Sequence, residues 1–431
     1  MSSAPDAQNE TTSRGSLAVI FLTVFIDLLG FGIVLPLLPI YASLFGVDEH
    51  GITLGLLMAS FSAMQFLFAP LWGRLSDRIG RRPVIMVGLL GSVVFYAIFG
   101  LATEWQCVWL LFVARIGAGI AGATISTAQA YIADTTSLEN RPKGMALIGM
   151  AFGLGFTFGP LVGFWAVPTG QGDPGPWPGY AAAILSAGAL ALAWFKLPES
   201  LPPEGAESRS NSHRGFSLGS LGSALQTKSI GGLLIAFFVC VFSFANFETT
   251  LGLMIAGSRI PDSPFDFSFR AVCLTFAFIG ATLAVVQGGV VRRLAGRISE
   301  GVLAAAGGIA QIAGFLMIAA AVKLSSTSLL FAALAIVVSG FAFVTPSLNS
   351  LLSRRSDPEK QGGVLGMAQS VNSMARIVGS GLGIPLLKIS TTLPAYVAAG
   401  LMAIGVILVI VAARGGKDYV AEATSETDAQ T

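Results

Sequence analysis

Charge is what this chain has least of. Only 11% of its 431 residues are Asp, Glu, Lys or Arg, against roughly a quarter in a soluble domain. That scarcity excludes an ordinary water-soluble fold and points to a surface built for lipid. The net charge of +2 gives no footprint for nucleic acid. Histidine is nearly missing: His50 and His213 are the only two, and both fall in connections between apolar stretches. The three cysteines (Cys107, Cys240, Cys273) lie at or within apolar runs, show no disulfide or zinc spacing, and read as small apolar fillers. The chain also lacks a phosphate-binding glycine loop, a metal-ligand cluster and a paired Ser/His nucleophile. A membrane enzyme is therefore not expected, and neither is a cofactor.

Long hydrophobic runs are what the chain has instead. A bilayer core of ~30 Å takes about 20 apolar residues per helix. On that criterion twelve spans are expected, near 17–45, 52–72, 84–102, 105–133, 144–167, 179–197, 230–256, 268–291, 301–322, 327–352, 362–388 and 393–413. They divide into a first six-span bundle (17–197) and a second (230–413). The connection 198–229 is rich in Ser, Pro, Gly and Glu and reads as a flexible linker. The tails 1–16 and 414–431 read as disordered. The polar start leads straight into a long run interrupted by Asp27, unlike a cleaved secretory signal.

The run from Gly73 to Pro83 holds Arg74, Arg78, Arg81, Arg82 and Asp77, too much charge for lipid. Short basic loops stay in the cytoplasm, so this loop orients the chain. With both termini inside, Arg259, Arg270, Lys323 and Lys388 are the only basic residues on the outer side. Arg115 and Arg376 lie within spans, and the other 19 of the 25 are cytoplasmic. The halves echo each other at an offset of 219: Leu75–Ile79 aligns with Leu294–Ile298, Asp27 with Asn246 and Gly144 with Gly363. A six-plus-six duplication places a transporter's site at the interface of the repeats.

Four motifs in order carry a family resemblance. Gly73–Arg82 resembles the signature loop between helices 2 and 3 of the major facilitator superfamily. Asp27–Pro39, Arg115-Ile116-Gly117-Ala118-Gly119 and Gly155–Gly163 resemble the helix-1, helix-4 and helix-5 motifs of its twelve-span drug:proton antiporters of the tetracycline-efflux type. In the last, Trp165 follows where a further small residue fits the pattern. Leu197-Pro198-Glu199-Ser200 is similar to their helix-6 ending. The resemblance implies an all-α membrane protein of two pseudo-symmetric six-helix bundles, with alternating access to a central site. It also implies a proton role for the helix-1 acid. In it, the arginines of loop 73–82 pair acids such as Asp134 at a cytoplasmic gate, and the Gly155, Gly159, Pro160 motif seals against leak.

Asp27, Arg115, Glu248 and Arg376 fall well inside spans. Each costs roughly 2.5–3.5 kcal/mol at a helix centre, so each needs a partner or water. They are either packing clamps between helices or machinery. Without an imidazole at depth, proton relay falls to Asp27 first and to Glu248 second, with Arg115 tuning the carboxylate or holding an anionic part of a substrate. Arg115, Gly119, Gly122, Ser126 and Gln129 recur at helical spacing on span 4, as do Gln369, Asn372, Arg376 and Gly379 on span 11. Such faces are close helix contacts or a wet cavity, and the buried arginine favours the cavity. Asn246 shares a face of span 7 with Ser243 and Thr250, while Glu248 sits about 200° away. Gln65 is an isolated amide, ligand or interhelical bond. Phe237, Phe238, Phe242, Phe244 and Phe247 read as lipid-facing filler ahead of a drug pocket. Gating falls to Gly73, Asp77, Arg78, Arg81 and Arg82, with Asp77 near the start of span 11 at Gly362 and Gly363, where a helix dipole favours an anion.

The expected function is export of an amphipathic drug or metabolite in exchange for protons, by a monomer in a bacterial inner membrane. Its partners would be the small-molecule substrate, protons and lipid. A nutrient symporter or facilitator on the same fold is the alternative; a non-transporting receptor or assembly protein is a second.

Overall fold

The computed structural model describes residues 5–38, 40–41, 52–136, 141–168, 174–200, 228–256, 264–294, 297–356 and 361–416. Span 1 is Pro5–Val34, span 2 Ile52–Ile79 and span 3 Arg81–Glu104. Span 4 comes in two pieces, Val108–Gly122 and Ile125–Thr135, followed by span 5 (Arg141–Ala166) and span 6 (Trp177–Lys196). In the second half, span 7 is Lys228–Ile255, and span 8 is Phe269–Val285 continued by a π-helical turn, Val286–Val291. Spans 9 to 12 are Glu300–Lys323, Thr327–Arg354, Gln361–Ile389 and Leu393–Gly415. Ten of these are long and apolar enough to cross a bilayer; spans 5 and 11 complete the twelve-helix fold.

Three expectations need correction. The N-terminal segment is not irregular: span 1 is helical from Pro5. Extending a formed helix through Ala, Gln and Glu costs little once nucleation is done, and proline suits the first turn. The basic run 73–82 is not an open loop either, because span 2 continues through Ile79 and span 3 restarts at Arg81. The turn is confined to Gly80, whose φ of +103° only glycine adopts cheaply. Span 4 breaks at Ala123–Thr124 after Gly117, Gly119 and Gly122, and glycine gives weak helical support. Residues 201–227 of the linker and 417–431 of the tail lie outside the described residues.

Lipid gives helices no hydrophobic reason to associate, so close backbone packing holds them. Spans 1 and 5 meet through glycines: a Cβ at Gly159 would lie 2.6 Å from the Cα of Gly32. In the second half, a Cβ at Gly379 or Gly383 would meet the backbone of Asn246 at 2.9 and 2.6 Å. Spans 9 and 10 approach in the same way at Gly307 and Gly340. The halves contact each other through spans 2 and 11 and spans 5 and 8. Their tight approaches lie away from the arginine-rich face: Gly55 on Gly381, Gly252 on Pro36 and Gly280 on Phe156. Toward the arginine-rich face, Gly73, Gly153, Gly288 and Gly289 have nothing within 4 Å. There an apolar cavity of about 210 Å³ opens between Phe66 of span 2, Phe238 of span 7 and Met374 of span 11. Exposed Trp105, Trp109, Trp165 and Trp177 mark the opposite face, as interfacial aromatics do.

Candidate proton and substrate site

Span 1 carries Asp27 against spans 3 and 6. Ser186 Oγ donates to its carboxylate at 3.3 Å, and Ser92 of span 3 lies beside it. Among the described residues Asp27 forms no ion pair. Arg115, on span 4, is 3% exposed and its guanidinium lies over aromatic rings, 4.5 Å from the centroid of Phe61 and 6.0 Å from that of Phe31. Its Nε and Nη1 have no hydrogen-bond partner among the described residues. A desolvated cation over a ring gains ~2 kcal/mol, less than a matched carboxylate would give. Tyr96 stands within electrostatic reach of both Asp27 and Arg115 and packs on Gly30. The aspartate and the arginine thus share one neighbourhood without closing a pair.

The rest of the span-4 stripe faces span 2. A Cβ at Gly119 would lie 2.5 Å from the Phe61 carbonyl oxygen. Gln65 Nε2 donates to Gly122 O at 3.4 Å, Ser126 Oγ to Ala69 O at 3.2 Å and Trp72 Nε1 to Ile120 O at 2.8 Å. Gly119, Gln65 and Ser126 are therefore seam residues in this state, and Gln129 lies half-buried beyond them. Close helix contact and intramembrane hydrogen bonding share one sequence pattern with a wet face.

In the second half Glu248 and Arg376 meet at 2.7 Å, partly exposed at 16% and 30% of their side chains. Asn372 is half-buried and Gln369 exposed on the same face of span 11. Asn246 turns away from them: it is fully buried and its Nδ2 donates to Pro394 O at 3.0 Å. The 200° step between Asn246 and Glu248 is realised without bringing both to one surface. Three of the five span-7 phenylalanines are not lipid filler. Phe237, Phe244 and Phe247 are buried; Phe244 stacks on Phe341 at 3.9 Å and Phe247 meets Phe315 edge-on at 5.4 Å. Phe242 is half-buried.

At the arginine-rich face Arg81 gathers the signature run. It pairs with Asp77 at 2.6 Å and Asp134 at 3.0 Å, and donates to Ser76 Oγ at 2.7 Å. Glu199 was visible only as part of a motif; its role comes from the fold. Its two carboxylate oxygens accept the backbone N–H groups of Arg81 and Arg82 at 2.9 and 3.1 Å. The end of span 6 thereby caps the start of span 3, and a side chain at Gly80 would collide with that carboxylate. Arg82 also donates to Trp194 O at 2.6 Å; Arg78 is exposed and Gly73 stands in open space. The side chains of Gln361 to Gly363 lie outside the described residues, so the expected neighbour of Asp77 does too. Gly155 and Gly159 build the span 1–span 5 seam against Leu28 and Gly32, and Pro160 lies buried within span 5. Ser92, Ser186, Tyr96 and Arg270 were not singled out as site residues from the sequence. A lone serine or tyrosine in an apolar run carries no periodic signal, and Arg270 read only as an outer-side charge.

Comparison with known proteins agrees with this architecture. Residues 20–380 match the model of the Major Facilitator Superfamily. The tetracycline resistance protein, class C, of Escherichia coli is 32% identical over 371 residues, 85% of this chain and 88% of that protein. Major facilitator superfamily domain-containing protein 10 of Bos taurus is 30% identical over 87% of this chain and 88% of its own. The crystal structure of the human organic anion transporter MFSD10 superposes with a TM-score of 0.67 at 26% identity, covering 92% of this chain and 99% of that one. A D-xylose-proton symporter shares the fold, with a TM-score of 0.74 at 16% identity over 94% and 98% of the two chains. With twelve membrane helices, buried charges near the contact of two halves and the signature run at one face, the chain belongs to the major facilitator superfamily and is an integral membrane transporter.

Proposed function

We propose that this transporter exports an amphipathic small molecule in exchange for protons. The observation that carries the reading is Asp27, a membrane-depth carboxylate that accepts from the Ser186 hydroxyl with Ser92 beside it and, among the described residues, pairs with no cation, next to an arginine that there pairs with no carboxylate. Serine hydroxyls reorient readily and can serve either protonation state, so Asp27 can gain and lose a proton without dismantling its surroundings. Arg115 supplies a fixed positive field nearby. Glu248 and Arg376, partly exposed on spans 7 and 11, are positioned for polar groups of the substrate, with Gln369 and Asn372 along the same face. The apolar cavity between Phe66 and Met374 suits its hydrocarbon part. The likeness to tetracycline resistance proteins and to an organic anion transporter supports a substrate with both apolar and ionisable character.

On this reading the arginine-rich face is cytoplasmic, both termini lie inside, and the chain works as a monomer in a bacterial inner membrane. It needs no cofactor beyond the proton gradient. Everted vesicles holding an acid-inside gradient test it, with a pH-sensitive dye and a panel of amphipathic drugs that includes tetracyclines. Drug-dependent proton efflux in wild type and none in Asp27→Asn is the expected result. Equal efflux from both removes Asp27 as the carrier; no response to any drug favours a symporter of small nutrients.

A further inference from the structure

We propose that Arg270 is a latch that holds the face opposite the arginine-rich run closed, and so helps set the balance between the two access states. Arg270 is the second residue of span 8, where the partial positive charge of a helix N-terminus makes a cation locally unfavourable. Its reason for being there lies across the seam. Its Nε donates to the carbonyl of Val167 at 3.0 Å, and its guanidinium lies 5.0 Å from the ring centroid of Phe164. Val167 directly follows the last residue of span 5, so its carbonyl is one of the acceptors that a helix C-terminus leaves unsatisfied. Arginine is well suited to that end of a helix dipole. A second-half side chain therefore caps a first-half helix, at a residue only 1% exposed.

Nearby approaches between spans 5 and 8 are contacts of shape: Gly280 on Phe156 and Thr157, and Gly163 on the Cys273 sulfur. Shape contacts resist compression, whereas a directional bond to a helix end must break when the halves separate at this face. Arg270 thus belongs to one access state. The inference needs only that the two halves rock, and it stands whichever substrate or ion is moved.

The native thiol Cys273, three residues along span 8 and fully buried at the same seam, reports the opening. In a Cys107→Ser background in lipid nanodiscs, the labelling rates of Cys273 and Cys240 by a polar maleimide are followed by peptide mass spectrometry. Cys240 is buried within the second half beside Gly405 and serves as the internal standard. Arg270→Ala is expected to label Cys273 about 2- to 30-fold faster, the range a helix-terminal charge gives at 1.4 kcal/mol per decade, with Cys240 unchanged. An unchanged Cys273 rate overturns the latch. Faster labelling of both thiols also overturns it, since that is general loosening. Should Arg270→Ala fail to fold, Arg270→Lys and Phe164→Leu are read the same way: graded acceleration at Cys273 alone is expected, and none in either variant overturns the proposal.

Discussion

In the first half, the buried acid and the buried base stand apart, Asp27 between two serines and Arg115 over two phenylalanine rings. In the second half Glu248 and Arg376 close on each other at 2.7 Å. The repeat makes the contrast sharper. Asn246, which occupies the position of Asp27 in the second half, is a neutral amide that ties span 7 to Pro394 of span 12, much as Asp27 is tied to Ser186 of span 6. A closed ion pair offsets the desolvation of both partners. A split pair leaves each group depending on weaker partners, and therefore free to change protonation or partner as the halves move. The ends at the arginine-rich face differ too. Asp77, Arg81 and Asp134 form a three-membered cluster in the first half. In the second, Arg354 grips Glu300 at 2.8 Å and Arg355 donates to the carbonyls of Ala412 and Ala413 at the end of span 12. At membrane depth the first half keeps its acid and its arginine apart, whereas the second pairs them.

Four measurements would break or sharpen that contrast. The largest effect is expected from Asp27→Asn: gradient-driven transport falls at least about 100-fold, a loss in the usual range for a proton-transfer group, while the thermal unfolding midpoint stays within a few degrees. Glu248→Gln should instead lower stability by about 1–3 kcal/mol, between the values for exposed and buried pairs. Adding Arg376→Gln should recover most of that loss; a double variant no more stable than the single one would show that the pair is not what stabilises the second half. Glu199→Gln should cost about 0.5–1 kcal/mol, in the range of a weakened helix cap, and raise amide exchange at Arg81 and Arg82. Smallest is Arg297→Ala, an exposed residue expected to leave unfolding and transport unchanged within about 0.5 kcal/mol. A larger effect there would mean the second half also holds functional charge at the arginine-rich face.

Much of the fold was legible from residues alone, because lipid imposes a length and a polarity on each span that few sequences meet by accident. The place of the arginine-rich cluster was legible for a related reason: four arginines and an aspartate have nowhere to be but the membrane face. The polar stripe of span 4 was not. Gly119, Gln65 and Ser126 could line water or a neighbouring helix, and only the position of span 2 decided between them. The phenylalanines of span 7 misled because an aromatic facing lipid and one facing Phe341 or Phe315 look alike along the chain.

By itself, the sequence determined that this is a membrane protein of twelve spans, which residues are charged at depth, and the family to which it belongs. Composition and spacing are local quantities, and the bilayer turns them directly into spans and faces. Tertiary structure decided which charges pair. It put Glu248 on Arg376, kept Asp27 from Arg115, set Glu199 on the start of span 3 and carried Arg270 across to Val167. Those outcomes depend on how helices far apart in sequence lean on one another, and a few ångströms between backbones decide whether two buried charges form a clamp or stay available for transport.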